Sequence, residues 1–183
     1  MIDLRKKGLP NAIYSADGEP IYLETDYRVW IQFMEDLKHD DEERDISYLF
    51  IDEPPVIDEY IYNKLKLFLY NPSPTPKVSD SKGEKVLDYV LDGEYIFSAL
   101  YATYGIDITE LDMHWHKFLA LCNNIIGEGT LWGYAKSMRG YKKPSKNDSY
   151  ERNCQRAKEA WGFEEELTEE EKRKKEEFDE LFT

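Results

Sequence analysis

The chain has 183 residues, 41% of them hydrophobic and 14% aromatic, and a net charge of -14. That is enough apolar material for one ordinary core, or for two small lobes, and too much for a wholly disordered chain. The negative charge repels nucleic-acid phosphates at long range, which argues against general nucleic-acid binding but leaves room for a local basic patch.

A charged fraction of 34% and a mean hydropathy of -0.71 indicate a heavily solvated surface. No run of about eighteen apolar residues is present, so no transmembrane helix and no membrane partner are expected. The opening MIDLRKKGLP lacks the apolar stretch of a signal peptide. Two cysteines, Cys122 and Cys154, do not make a disulfide framework. A reduced, cytosolic protein is the expectation.

In chain order, residues 11–24 read as a β-hairpin, with Ile13-Tyr14 and Ile21-Tyr22-Leu23 as strands and Asp17-Gly18 at the turn. A lone hairpin is marginal in water, so it should pack on a helix. Thr25 or Asp26 can cap that helix, in which Val29, Trp30, Phe33, Met34 and Leu37 recur at helical spacing. The acidic HDDEERD stretch after it lacks the glycine and alternation of a calcium loop and reads as solvated. Residues 46–53 suggest a short helix stopped by Pro54-Pro55. From Ile57 to Tyr70, Ile57, Tyr60, Ile61, Leu65 and Phe68 share a helical face, and Leu67 and Leu69 broaden it, which predicts burial on more than one side.

Residues 71–84, NPSPTPKVSDSKGE, form a proline-rich loop or linker. The organisation is either one helical domain over 1–163 or two lobes, 1–70 and 85–163, joined there. Asp92 is placed to cap a helix through Tyr104 that Gly105 ends, and Thr109 to cap the next. Gly127 and Gly129 break that helix. A short helix over Thr130 to Met138 ends at Gly140, and another spans Asn147 to Trp161. Residues 164–183 read as an acidic C-terminal helix capped by Thr168, with Phe178, Leu181 and Phe182 as its thin apolar content. The expected fold is mainly α, a helical domain with a small N-terminal β-hairpin.

The stretch LDMHWHKFLALCNNI, 111–125, carries the only cluster that invites a chemical reading. On a helix, His114 and His116 would project about 200° apart and could not share one ion. A helical zinc pair needs a spacing of three or four. Cys122 sits in an apolar run with no activating charge nearby. Phosphate-binding glycine loops, a nucleophile elbow and zinc-ribbon pairs are all missing from the sequence. No catalytic residue, cofactor or metal ligand is therefore expected. Between Lys136 and Lys158 the charge turns basic, with Arg139, Lys142 and Lys143 among eight cations facing Asp148 and Glu151. This stretch reads either as a solvated segment paired with the chain's own acidic end or as a contact for an anionic partner or another subunit.

Three stretches then suggest a family: TDYRVWIQFMEDL at 25–37, GEYIFSALYATYGIDITELDMHWHKFLALCNNI at 93–125, and MRGYK at 138–142. Together they resemble the bacteriophage "gene product fifteen" family of long-tailed phages and prophages of Gram-positive bacteria, encoded beside the tape-measure gene. The most specific part is Tyr104-Gly105-Ile106-Asp107 followed by His114-Trp115 and Lys117-Phe118. The sequence departs from the family pattern at His116, where a second tryptophan is usual, and at Asn123-Asn124, where the family has Asn-Gly.

The resemblance implies a mostly helical, self-associating tail assembly chaperone. Its partners would be the tape-measure protein, with the tail-tube protein as a further candidate. It would act in the host bacterial cytoplasm and be absent from the finished virion. The alternatives are a structural virion component, such as a head–tail connector, and a small hydrolase. Contact candidates on this reading are Trp115, His116, Arg139, Lys142, Lys143, Phe178, Leu181 and Phe182.

Overall fold

The computed structural model describes residues 7–38, 44–70, 86–125, 129–141 and 149–163. The proline-rich stretch 71–84, Lys142, Lys143 and the acidic segment with Phe178, Leu181 and Phe182 lie outside these residues. The architecture is mainly α with a small N-terminal hairpin, as the hydrophobic periodicities predict. The chain divides into two units, Met1–Lys136 and Ser137–Thr183.

In the first unit, β1 (Ala12–Tyr14) and β2 (Pro20–Tyr22) pair antiparallel, with Ile13 opposite Ile21. Gly18 takes φ +86° in the connecting loop, and the Ser15 carbonyl accepts its amide at 3.1 Å. A bridge between Leu23 and Phe50 continues the pairing, with Glu24 donating to the Leu49 carbonyl and Ile51 to that of Tyr22. Residues 46–53 therefore form only a 3-10 turn, Ser47–Leu49, after which Phe50 and Ile51 pair beside the hairpin. The pairing alternates faces: Leu23 and Phe50 are buried, while Tyr22 and Ile51 are exposed.

Helix α1 (Tyr27–Asp36) starts at Asp26, whose side chain accepts the Arg28 amide at 2.9 Å. It buries Tyr27, Trp30 and Phe33. Helix α2 (Glu59–Tyr70) starts where Asp58 accepts the Ile61 amide at 2.8 Å, and buries Ile61, Leu65, Phe68 and Leu69. Helix α3 (Gly93–Tyr104) ends on Gly105 at φ +65°, a left-handed terminus in which the glycine donates to the Tyr101 carbonyl.

Helix α4 (Trp115–Ile125) packs against both α1 and α3. It starts five residues later than a Thr109 cap would place it. Thr109 instead closes a turn with Asp107, and His114 occupies the cap position. The core of this unit is one cluster from Ile13 to Trp132, built around closely packed rings. Tyr27 lies 4.8 Å from Phe118 and Trp30 lies 4.6 Å from Phe68, centroid to centroid.

Helix α5 (Leu131–Arg139) carries the chain out of the first unit. Thr130 caps it by accepting the Gly133 amide. The second unit contains α6 (Ser149–Trp161). There the buried Arg139 donates to the Trp161 carbonyl at 2.6 Å and its guanidinium lies 3.8 Å from the Phe163 ring centroid. Lys158 donates to the Tyr141 carbonyl.

Candidate functional site

The His-Trp-His triplet is where the first unit's segments converge. The stretch before it is extended and pairs with the segment entering α1: Tyr27 donates to the Met113 carbonyl and Trp115 to the Thr25 carbonyl. His114 thus precedes the helix, and only Trp115 and His116 sit in its first turn. Opposed helical faces do not describe the two histidines. Their ring centroids are 5.2 Å apart, because an extended residue and a helical one two positions later can share a side.

Three consecutive rings each hold a backbone carbonyl, one ahead of the hairpin and two in α2. His114 Nε2 lies 2.8 Å from the Pro10 carbonyl, just ahead of the hairpin. Trp115 Nε1 donates to the Leu69 carbonyl at 2.8 Å. His116 Nε2 lies 2.8 Å from the Phe68 carbonyl. Leu69 and Phe68 lie in the last turn of α2, whose carbonyls have no intrahelical donor. The triplet therefore closes the C-terminus of α2 with side chains from α4 and ties both helices to the start of the hairpin.

The carbonyl partners fix the protonation of both rings. His114 Nδ1 accepts the His116 amide at 3.0 Å, so the ring is neutral with its proton on Nε2. His116 also carries its proton on Nε2, and its buried Nδ1 has no hydrogen-bond partner among the described residues. Burial lowers both histidine pKa values, only partly opposed by the carbonyls. Trp115 and His116 are buried, at 1% and 2% exposure, so their rings meet this chain's own backbone.

An open polar cleft of about 490 Å³ lies beside His114, lined by Glu24, Asp26, Arg28 and Asp112 among others. Its charged groups already have structural roles. Glu24 accepts the Thr25 amide, and Arg28 bonds Asp112 and the Leu111 carbonyl at 3.2 and 2.8 Å. No group of three or more His, Cys, Asp or Glu among the described residues is arranged to hold a metal ion. Burial pushes the Cys122 thiol up to about 12, which keeps it protonated near neutral pH.

A second buried polar centre escaped the sequence reading. Asp92, expected only as a helix cap, makes no side-chain cap bond. Its Oδ2 accepts from the Asp88 amide and from Trp132 Nε1, each at 3.1 Å. Asp88 in turn accepts the Val90 and Leu91 amides at 2.8 Å and binds Lys38 from the end of α1. The acidic LDYVLDG stretch is a braced turn into α3, and its only sequence signal is the four-residue spacing of the two aspartates.

The outward side of α2 was also only half legible. Tyr60, Leu67 and Tyr70 are exposed there at 40%, 54% and 65%. Of the two leucines that broadened the predicted face, Leu69 is buried and Leu67 is not.

Comparison with known proteins gives one result. No curated protein and no solved structure matches. The model of the family described as "Bacteriophage Gp15 protein" matches residues 9–163, a span that holds the hairpin, all six described helices and the His-Trp-His triplet. The chain belongs to the bacteriophage Gp15 protein family.

Proposed function

We propose that this member of a phage structural or morphogenesis family is a tail assembly chaperone. It binds the tape-measure protein in the host cytoplasm, self-associates, and leaves before the virion is complete. The family match over residues 9–163 carries this reading. The surface supports it. A tape-measure protein is a long amphipathic helix, which docks through apolar side chains at helical spacing. Val90, Leu91, Tyr101 and Leu131 present apolar side chains to solvent. The net charge of -14 keeps a complex with an aggregation-prone helix dispersed. The protein is not an enzyme on this reading, and the neutral, backbone-bonded histidines have an architectural role.

Co-expression with the neighbouring tape-measure protein tests the proposal. The soluble fraction of that protein rises when the chain is present, and the rise is lost in a Leu91→Glu, Tyr101→Glu variant that retains its helical circular dichroism. Unchanged solubility with the intact chain overturns it. Abundant copies in purified virions, counted by mass spectrometry, would instead favour a structural component such as a head–tail connector.

A further inference from the structure

Helix α2 is apolar on two sides, and the described residues cover only one. Ile61, Leu65, Phe68 and Leu69 face the core. On the opposite side Tyr60, Asn63, Leu67 and Tyr70 follow one another at intervals of three, four and three, and all are exposed. This is the seam spacing of a coiled coil, with one polar residue of the kind that fixes register. Lys64 and Lys66 take the positions flanking the seam. Each ammonium lies over a tyrosine ring, 5.0 Å from the Tyr60 centroid and 4.3 Å from that of Tyr62.

The flanking lysines define the partner. Two α2 seams set face to face would bring Lys64 and Lys66 against their own copies, which is repulsive. An acidic segment with closely spaced apolar residues fits instead. This chain supplies one in EEFDELF, 176–182, where Phe178, Leu181 and Phe182 alternate with Glu176, Glu177, Asp179 and Glu180. Fourteen residues lie between Phe163 and Phe178, a reach of up to about 50 Å when extended.

We propose that the segment 176–182 of one copy docks on the outward face of α2 in a second copy. Phe178, Leu181 and Phe182 cover Tyr60, Leu67 and Tyr70, and the acidic residues pair with Lys64 and Lys66. Reciprocal docking gives a two-fold symmetric dimer. The inference rests on the self-association part of the proposed function and not on tape-measure binding, so it is tested with the full-length chain alone.

A charge exchange between two full-length variants is the test. Lys64→Glu, Lys66→Glu forms one variant and Glu177→Lys, Glu180→Lys the other. Each alone loses affinity for itself by about tenfold or more in sedimentation equilibrium, since like charges then meet at the contact. An equimolar mixture restores association, because each tail now meets a receptor of opposite sign. Mixed pairs are identified by ¹⁵N-labelling one variant and analysing cross-linked species by mass spectrometry.

Failure of the mixture to pair overturns the docking site, as does wild-type self-affinity in both variants. Unchanged self-affinity also leaves the self-association reading standing on another surface. A wild-type chain that stays monomeric removes both. Lys64 and Lys66 are half-buried on the seam flank, Glu177 and Glu180 lie outside the described residues, and circular dichroism of each variant verifies the fold.

Discussion

His114 works as a helix cap only while its Nδ1 is unprotonated, and the neighbouring Pro10 carbonyl holds the proton on the other nitrogen. Protonating Nδ1 would set a donor against the His116 amide, and burial further disfavours the charged ring. His116 is depressed in the same direction, by burial first. The unfolded chain, with ordinary histidine pKa values near about 6.5, binds more protons than the folded one. Histidine-linked stability is therefore full above about pH 6.5 and falls as pH drops toward the lowered folded-state values.

His114→Asn separates the cap from the titration, because asparagine caps as well and carries no proton to gain. Near pH 7.5 the variant loses about 1 kcal/mol with the Pro10 bond, and its Tm falls less steeply than wild type toward about pH 5.5. Parallel Tm curves from circular dichroism would show that His114 is not the titrating group. Trp115→Phe addresses the middle ring. Most of the ring remains, but the Leu69 carbonyl loses its buried donor. Urea unfolding should show a loss of about 2–3 kcal/mol with an unchanged m-value.

Two glycines of α3 show backbone conformation acting at the level of elements. Gly105 ends the helix at φ +65° and Gly93 starts it at negative φ, and an added Cβ meets nothing within 4 Å at either. Sterics therefore cancel from the comparison. Gly105→Ala costs about 1–2 kcal/mol from the left-handed backbone, whereas Gly93→Ala stabilises by about 0.4–1 kcal/mol through the unfolded chain. Thermal melts of opposite sign check this, and a destabilised Gly93→Ala would show that the start of α3 needs more than negative φ.

Helices α1 and α3 show what the sequence could convey. Local signals such as Asp26 at a cap, Gly105 in the left-handed region, and Trp30 and Phe33 three apart each act within one turn, and each appears where the pattern placed it. The triplet did not, because its conformation is set from a distance. Thr25 and Pro10 draw His114 into an extended bridge, and no window around residue 114 contains them. The short helix expected over 46–53 gave way for a related reason, the pairing of Phe50 and Ile51 with the hairpin. The two-sided apolar pattern of α2 was visible, but which side the chain itself covers depends on where β1 and α4 come to rest.

For the whole molecule, charge sets two opposing demands on self-association. Two copies carrying -14 each repel by about 20 kcal/mol at roughly 40 Å in unscreened water. The Debye length is about 30 Å at 0.01 M salt and about 10 Å at 0.1 M, which cuts that repulsion to about 5 kcal/mol and then to under about 1 kcal/mol. The contacts of Lys64 and Lys66 act at a few ångströms, are screened less, and are individually worth about 1 kcal/mol or less at the surface. An apolar seam of Tyr60, Leu67 and Tyr70 is not weakened by salt at all in this range. Self-association through α2 should therefore strengthen steeply between about 0.01 M and 0.1 M salt and change little up to about 0.5 M. Sedimentation equilibrium across that series decides the matter. An association that weakens from the lowest salt onward would instead be held by ion pairs and not by the tyrosine-leucine seam.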